Sequence, residues 1–209
     1  MSLRIAFDQQ VFLLQEFGGI SRYVCSLSEA LSCSPVVETM IFAPLHYNGH
    51  LQKLPRSLVH GWRIPRVPKT ARPVFALSTL LARHAIRRFR PEIVHKTYYS
   101  KDVFAPKGAR RVITVYDMIS ERFPAEFAGS HFTDAKRFAI SHADHILCIS
   151  ENTQHDLIEL FGIAAERTSV VCLGYDEFAL SAAEEGGASY QEGSRPYLFY
   201  VGSRGGYKN

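Results

Sequence analysis

The sequence predicts an α/β fold with a doubly wound parallel sheet, and three observations carry the prediction. Short apolar, β-branched runs alternate with amphipathic stretches, the order that builds a parallel sheet with right-handed crossovers. The runs are apolar throughout rather than every second residue, as in strands covered on both faces. Polar residues follow several of them directly, at the strand carboxyl ends where open parallel sheets bind ligands.

Taken in order, Arg4–Asp8 (RIAFD) reads as the first strand. A loop ending in Gly18-Gly19 leads into ISRYVCSLSEALS, where Ile20, Val24, Leu27 and Leu31 share one helical face. Glycines at such a junction let a ligand approach the backbone, and the helix start offers free N–H groups to an anion. The spacing is not a full GxGxxG, and a plain turn accounts for the pair as well. Val36–Ala43 and Leu58–Ile64 read as strands two and three. Pro73–Phe89 reads as a helix with Val74, Leu77, Leu81 and Ala85 inward and Arg83, Arg87, Arg88 and Arg90 on a basic side, ended by Pro91. Such a helix either packs on a sheet or lies on an acidic membrane surface.

Glu92–His95 is the next strand, followed by the polar-aromatic run KTYYS. Val112–Val115 then delivers Tyr116 and Asp117 to a strand end. That pair is a candidate site, with capping of the next turn as the structural alternative for Asp117. Thr133–Ala143 is predicted helical, with Ala135, Phe138, Ala139 and His142 on one side. His145–Ile149 is a buried strand, and Ser150, Asn152 and Thr153 are natural N-caps for a helix that Gly162 closes. Thr168–Leu173 reads as the last strand of the unit. Residues 181–194 are small, acidic and Gly-rich, a linker signature, and Arg195–Gly202 begins a fresh strand. The expected division is residues 1–180, a linker at 181–194, and the start of a second domain at 195–209.

With 46% hydrophobic and 21% charged residues, the 209-residue chain has ordinary globular composition. No run approaches the ~18 apolar residues of a membrane span. The N-terminus runs straight into strand-like sequence, so a secretory signal is not expected. Cys25, Cys33, Cys148 and Cys172 form no CxxC, and the last two lie in apolar strand candidates, which points to buried thiols in a reducing cytoplasm. His142 and His145 lack a second ligand pair, so no metal is expected. Between Lys53 and Arg111 there are 15 Lys/Arg against two acids, whereas 14 acids face seven bases from Val112 onward. A contiguous basic block fits an anionic partner, such as a lipid diphosphate or an acidic membrane surface, or else a solvated face. No recognition-helix or RNP-like pattern accompanies it, so nucleic acid is not expected.

Six segments together (RIAFDQQVF…GGISRY, PEIVHKTYYS, VITVYDMISERFP, ADHILCISENTQHDL, TSVVCLGYD and YLFYVGSRGGYKN) resemble, in order, the N-terminal half of a retaining family 4 glycosyltransferase of the GT-B fold, with the first strand of its C-terminal half. The resemblance implies a Rossmann-like acceptor-binding domain facing a nucleotide-sugar-binding domain across a cleft, with no metal cofactor. Carried over by position, Gly18 and Gly19 approach the donor diphosphate, and Arg204 and Lys208 bind it. Fixed cations there stabilise the charge that grows on the leaving group. Ser150 and Glu151 match a Ser-Glu pair at the cleft wall, and Tyr98 and Tyr99 shape the acceptor pocket or pack in the core. Asp117 and Tyr116 match the catalytic turn, where many members carry His before the Asp; a tyrosine with a pKa near about 10 is a poor base at neutral pH. The family's acidic donor-sugar pair has no counterpart in these residues, so the chain alone is not expected to be catalytically competent.

The implied activity is transfer of a sugar from a nucleotide-sugar to a polysaccharide or lipid-linked saccharide, in the bacterial cytoplasm or peripherally at the inner membrane face. A non-catalytic glycan- or lipid-phosphate-binding module of the same fold is the alternative, and a GT-B nucleotide-sugar epimerase a third.

Overall fold

The computed structural model describes residues 2–127 and 132–174. The proposed linker, the fresh strand, Arg204 and Lys208 lie outside them. Seven strands, β1 (Leu3–Phe7), β2 (Val37–His46), β3 (Val59–Arg63), β4 (Ile93–Lys96), β5 (Arg110–Val115), β6 (His145–Cys148) and β7 (Thr168–Val170), form one sheet in the order β3-β2-β1-β4-β5-β6-β7. Every neighbouring pair is parallel. The order reverses between β1 and β4, the switch point of a Rossmann-like sheet. Phe7, Ile41, Val94, Ile113, Val115 and Ile146 are fully enclosed, which is why these strands read as unbroken apolar runs.

The helices are α1 (Gln10–Leu14), α2 (Gly19–Ser32), α3 (Ala71–Phe89), α4 (Ile119–Arg122), α5 (Phe132–Ser141) and α6 (Glu151–Phe161). Within the described residues, the seven predicted strands and the four long helices are all present. The short α1 and α4, five and four residues long, are not legible in the sequence because they are too brief for a 3.6-residue period to show. Three local expectations are corrected. β7 ends at Val170, so Cys172 is exposed rather than buried. On α5 the buried positions are Lys136, Ala139 and Ile140, while His142 is exposed beyond the helix end.

The third correction concerns α3, which is turned away from its leucines. Ser78, Ala82 and Ile86 face the sheet, whereas Leu77 and Leu81 are exposed. The cause lies in β2. Pro44 offers no ladder N–H, and the pairing of β2 with β3 shifts between Phe42 and Leu45. Ser78 Oγ donates to the Leu45 carbonyl at 2.9 Å and accepts from the Leu45 N–H at 3.3 Å. Those backbone groups gain partners only if the small-residue face of α3 sits against them. Opposite, Gly61 of β3 comes so close that a Cβ there would lie 1.7 Å from the Ala43 carbonyl oxygen.

Two buried histidines set the acid sensitivity of this frame. Burial drives His95 down to about 4, against the charge of Asp8, and its Nε2 lies 2.9 Å from Thr114 Oγ1. Burial, then the charge of Arg63, lowers His46 to about 4. Unfolded histidine titrates near about 6.5. The unfolded chain therefore binds more protons between those values, and stability is full above pH 6.5 and falls as pH falls. Urea unfolding at pH 7 and pH 5 should show a loss of about 2 kcal/mol per histidine. His95→Gln should remove about half of that slope.

Candidate active-site turn

The carboxyl ends of β4 and β5 bring four of the predicted residues together. Tyr98 and Tyr99 follow β4 with ring centroids 5.3 Å apart, and the Tyr99 hydroxyl accepts the Tyr116 N–H at 3.2 Å. Tyr99 is buried in the core formed by β5, β6 and α5, so its ring packs while its hydroxyl holds the turn. Tyr98 and Tyr116 are half-buried against that core. Asp117 is exposed, and its Oδ1 accepts the Ile119 N–H at 3.2 Å, which starts α4. The capping role is thus real, and it leaves the rest of the carboxylate facing solvent.

Burial raises the Tyr116 phenol far above its ordinary range, helped by neighbouring Tyr23 and opposed by a hydrogen bond with Thr114. Burial also raises Tyr99, and burial with the Asp117 charge raises Tyr98. Each is therefore a neutral phenol at physiological pH, able to donate a hydrogen bond and unable to act as a base.

Gly18 and Gly19 lie at the start of α2. Gly18 is the N-cap in extended backbone, and Gln15 Oε1 reaches across to accept the Ser21 N–H at 3.1 Å. Around Gly19 an added Cβ would meet nothing, so the backbone there is open to approach. One turn on, Tyr23 meets the Tyr116 ring edge-on at 5.8 Å and joins the glycine end of α2 to the turn. Ser150 caps α6, with its Oγ accepting the Thr153 N–H at 3.1 Å, and Glu151 beside it is exposed.

Two site residues escaped the sequence reading. Tyr23 stands within the GGISRY segment, but its facing is set by the helix it shares with Val24. Lys136 is fully buried under the turn, its Nζ donating to the Asp117 carbonyl at 2.5 Å and to Glu121 Oε2 at 2.9 Å, and lying 5.4 Å from the Tyr99 ring centre. A lysine on the apolar stripe with Ala139 and Ile140 was the available signal.

Among the described residues, His155, Asp156 and Glu159 form a group close enough to approach a cation. Arg122 already engages both carboxylates, Asp156 at 2.6 Å and Glu159 more tightly still, so the cluster is an ion-pair network tying α4 to α6. Two open clefts of about 390 and 380 Å³ flank β3 and α2, and neither is lined by Tyr116 or Asp117.

The fold and this turn define an α/β protein with a polar, phenol-rich rim at the ends of a Rossmann-like sheet. Residues 17–177 match the family model described as Glycosyltransferase Family 4, and the chain belongs to that family. No curated protein matches it. Solved structures similar to it include Anabaena Alr3699/HepE in complex with UDP and glucose (16% identity, 88% of this chain and 50% of that one, TM-score 0.49). A glycosyltransferase from Rickettsia africae ESF-5 is similar at 14% identity, over 88% and 49% of the two chains, with TM-score 0.45. The apo lipopolysaccharide outer core galactosyltransferase WaaB is similar at 16%, over 83% and 46%, with TM-score 0.48. The chain spans about half the length of these structures.

Lys136 gives a direct test of how the turn is held. Glu121 is 4% exposed at its side chain, so Lys136→Met strands a buried carboxylate. The variant should lose about 3–5 kcal/mol in urea unfolding, and adding Glu121→Gln should restore part of it.

Proposed function

We propose that this chain is the acceptor-binding unit of a retaining glycosyltransferase. The reaction moves a sugar from a nucleotide-sugar to a polysaccharide or lipid-linked saccharide at the cytoplasmic face of a membrane. The observation that carries the reading is family membership over residues 17–177 joined to a rim of neutral phenols and one exposed carboxylate at the strand ends. In this reading Tyr116 donates a hydrogen bond to a sugar hydroxyl, and the free oxygen of Asp117 accepts one. Tyr98 offers an aromatic face to the acceptor ring, while Tyr99 acts through Tyr116 as a positioning residue. Glu151 and Ser150 border the cleft. Charge growing on the departing diphosphate is met by the open backbone at Gly18 and Gly19 and by Arg204 and Lys208, contacts that hold the bound donor and strengthen as the glycosidic bond breaks.

The test is a panel of nucleotide sugars, with and without lipid and glycan acceptors, given to the complete gene product. Turnover of one donor is expected. Tyr116→Phe should lower it about tenfold and Asp117→Asn about 10- to 100-fold, with circular dichroism showing both variants folded, because the first removes and the second weakens a hydrogen bond made in the transition state. Neither hydrolysis nor transfer of any donor would overturn the reading. Saturable glycan binding without turnover would replace it with a binding module.

A further inference from the structure

The outward face of α3 is the least expected surface of the molecule. Leu77 and Leu81 lie along it, with Leu80 beside them, at 49%, 42% and 64% exposure. Helical spacing continues the same line into His84 and Arg88. The edge strand β3 adds an indole from the same side of the sheet. His60 packs on Phe42, which packs on Phe89 of α3, whereas Arg63 reaches Glu16 and Gln52 on the opposite side. Period-two alternation therefore puts Trp62 with His60, on the α3 side, and it is 68% exposed.

The charge around this patch has one sign. From residue 53 to residue 91 there are ten Lys/Arg and no Asp or Glu. Lys69 and Arg72 stand exposed at the start of α3, and Arg88 and Arg90 at its end. No helix among the described residues is long and apolar enough to cross a membrane. Leucines and a tryptophan framed by cations on a surface helix match what an anionic bilayer offers, which is acyl carbon below and phosphate above. A protein partner of matching shape would have to bring a comparably acidic rim.

We infer that the α3–Trp62 face docks this protein on an anionic lipid surface, with the leucines and indole in the headgroup boundary and the flanking cations on lipid phosphates. The inference deepens the proposed function by naming the surface that meets the membrane. Its test reads membrane binding and not turnover, so either idea can fail alone.

Trp62 is the chain's single tryptophan and reports directly. The full chain is titrated with vesicles of phosphatidylcholine alone and of phosphatidylcholine with phosphatidylglycerol, following tryptophan emission and co-sedimentation. The anionic vesicles should shift emission to shorter wavelength and bind about tenfold or more tightly, with the preference fading in high salt. Leu80→Ser with Leu81→Ser should weaken that binding about tenfold. Arg72→Glu with Arg88→Glu should abolish the preference for anionic lipid. All four residues are exposed, so circular dichroism should be unchanged in both variants. Emission unmoved by anionic vesicles would overturn the inference. So would a blue-shifted emission without lipid, meaning that another segment of the chain covers the patch. A concentration-dependent shift with dimerisation in light scattering would assign the face to a second copy instead.

Discussion

A buried ion pair at the switch point of the sheet fixes the geometry of the strand ends around it. Lys96 Nζ lies 2.7 Å from Asp8 Oδ2, both side chains under 10% exposed, one at the end of β1 and the other at the end of β4. Taking two charges out of water costs several kcal/mol apiece, and such a pair persists only when its remaining lone pairs are satisfied. Here they are. Asp8 Oδ1 accepts the Thr97 N–H at 3.0 Å and its hydroxyl at 2.6 Å, and Oδ2 accepts Gln10 Nε2 at 2.9 Å. The Thr97 hydroxyl oxygen in turn accepts the Val11 N–H at 3.1 Å. One carboxylate thereby fixes where β1 ends, where α1 begins and how the Thr97–Tyr99 segment leaves β4. The tyrosines of the rim inherit their positions from it.

The same network explains what was legible in the sequence. Strand identity was legible because an enclosed strand is apolar or β-branched along nearly its whole length, as Val112–Val115 and Ile146–Cys148 are. The rim was legible as far as Tyr116 and Asp117, since residues directly after a buried strand have only the sheet's carboxyl edge to occupy. What joins the rim was not. Asp8 meets Lys96 and Thr97 across nearly ninety residues, and Lys136 meets Asp117 across nineteen. Neither contact follows from any local period. The facing of α3 failed for a related reason. Ranking its stripes by hydrophobicity puts the leucines inward, but the deciding partner was Leu45 of β2, whose backbone needed Ser78.

That inversion says something general about this fold unit. A helix buries whichever face lets the backbone polar groups beneath it be satisfied, because an unpaired buried N–H or carbonyl costs about 1–3 kcal/mol, comparable with the gain from burying a leucine. Ser78 and Ala82 also allow close approach, which brings Ile86 into contact with the cluster around Phe42 and Val94. The leucines on the outside are what remains once that choice is made. The sheet's two boundaries therefore differ in character: a polar rim of phenols at the strand ends, and an apolar, cationic flank along α3.

The rim's chemistry follows from the phenols. Where many members of the family carry a histidine before the aspartate, this chain has Tyr116. An imidazole near about 6.5 would change charge across the physiological range. Tyr116, raised by burial and by its edge-on contact with Tyr23, does not. Thr114 beneath it lowers both of those phenols against their burial and is itself hydrogen-bonded with His95, which burial holds neutral. The phenols of the turn and His95 beneath them thus stay neutral near pH 7, and the exposed carboxylate of Asp117 stands beside them. Under the proposed function, such a turn would orient hydroxyls by hydrogen bonding without taking a proton itself, which suits a transfer in which the leaving diphosphate accepts the proton that the attacking hydroxyl gives up.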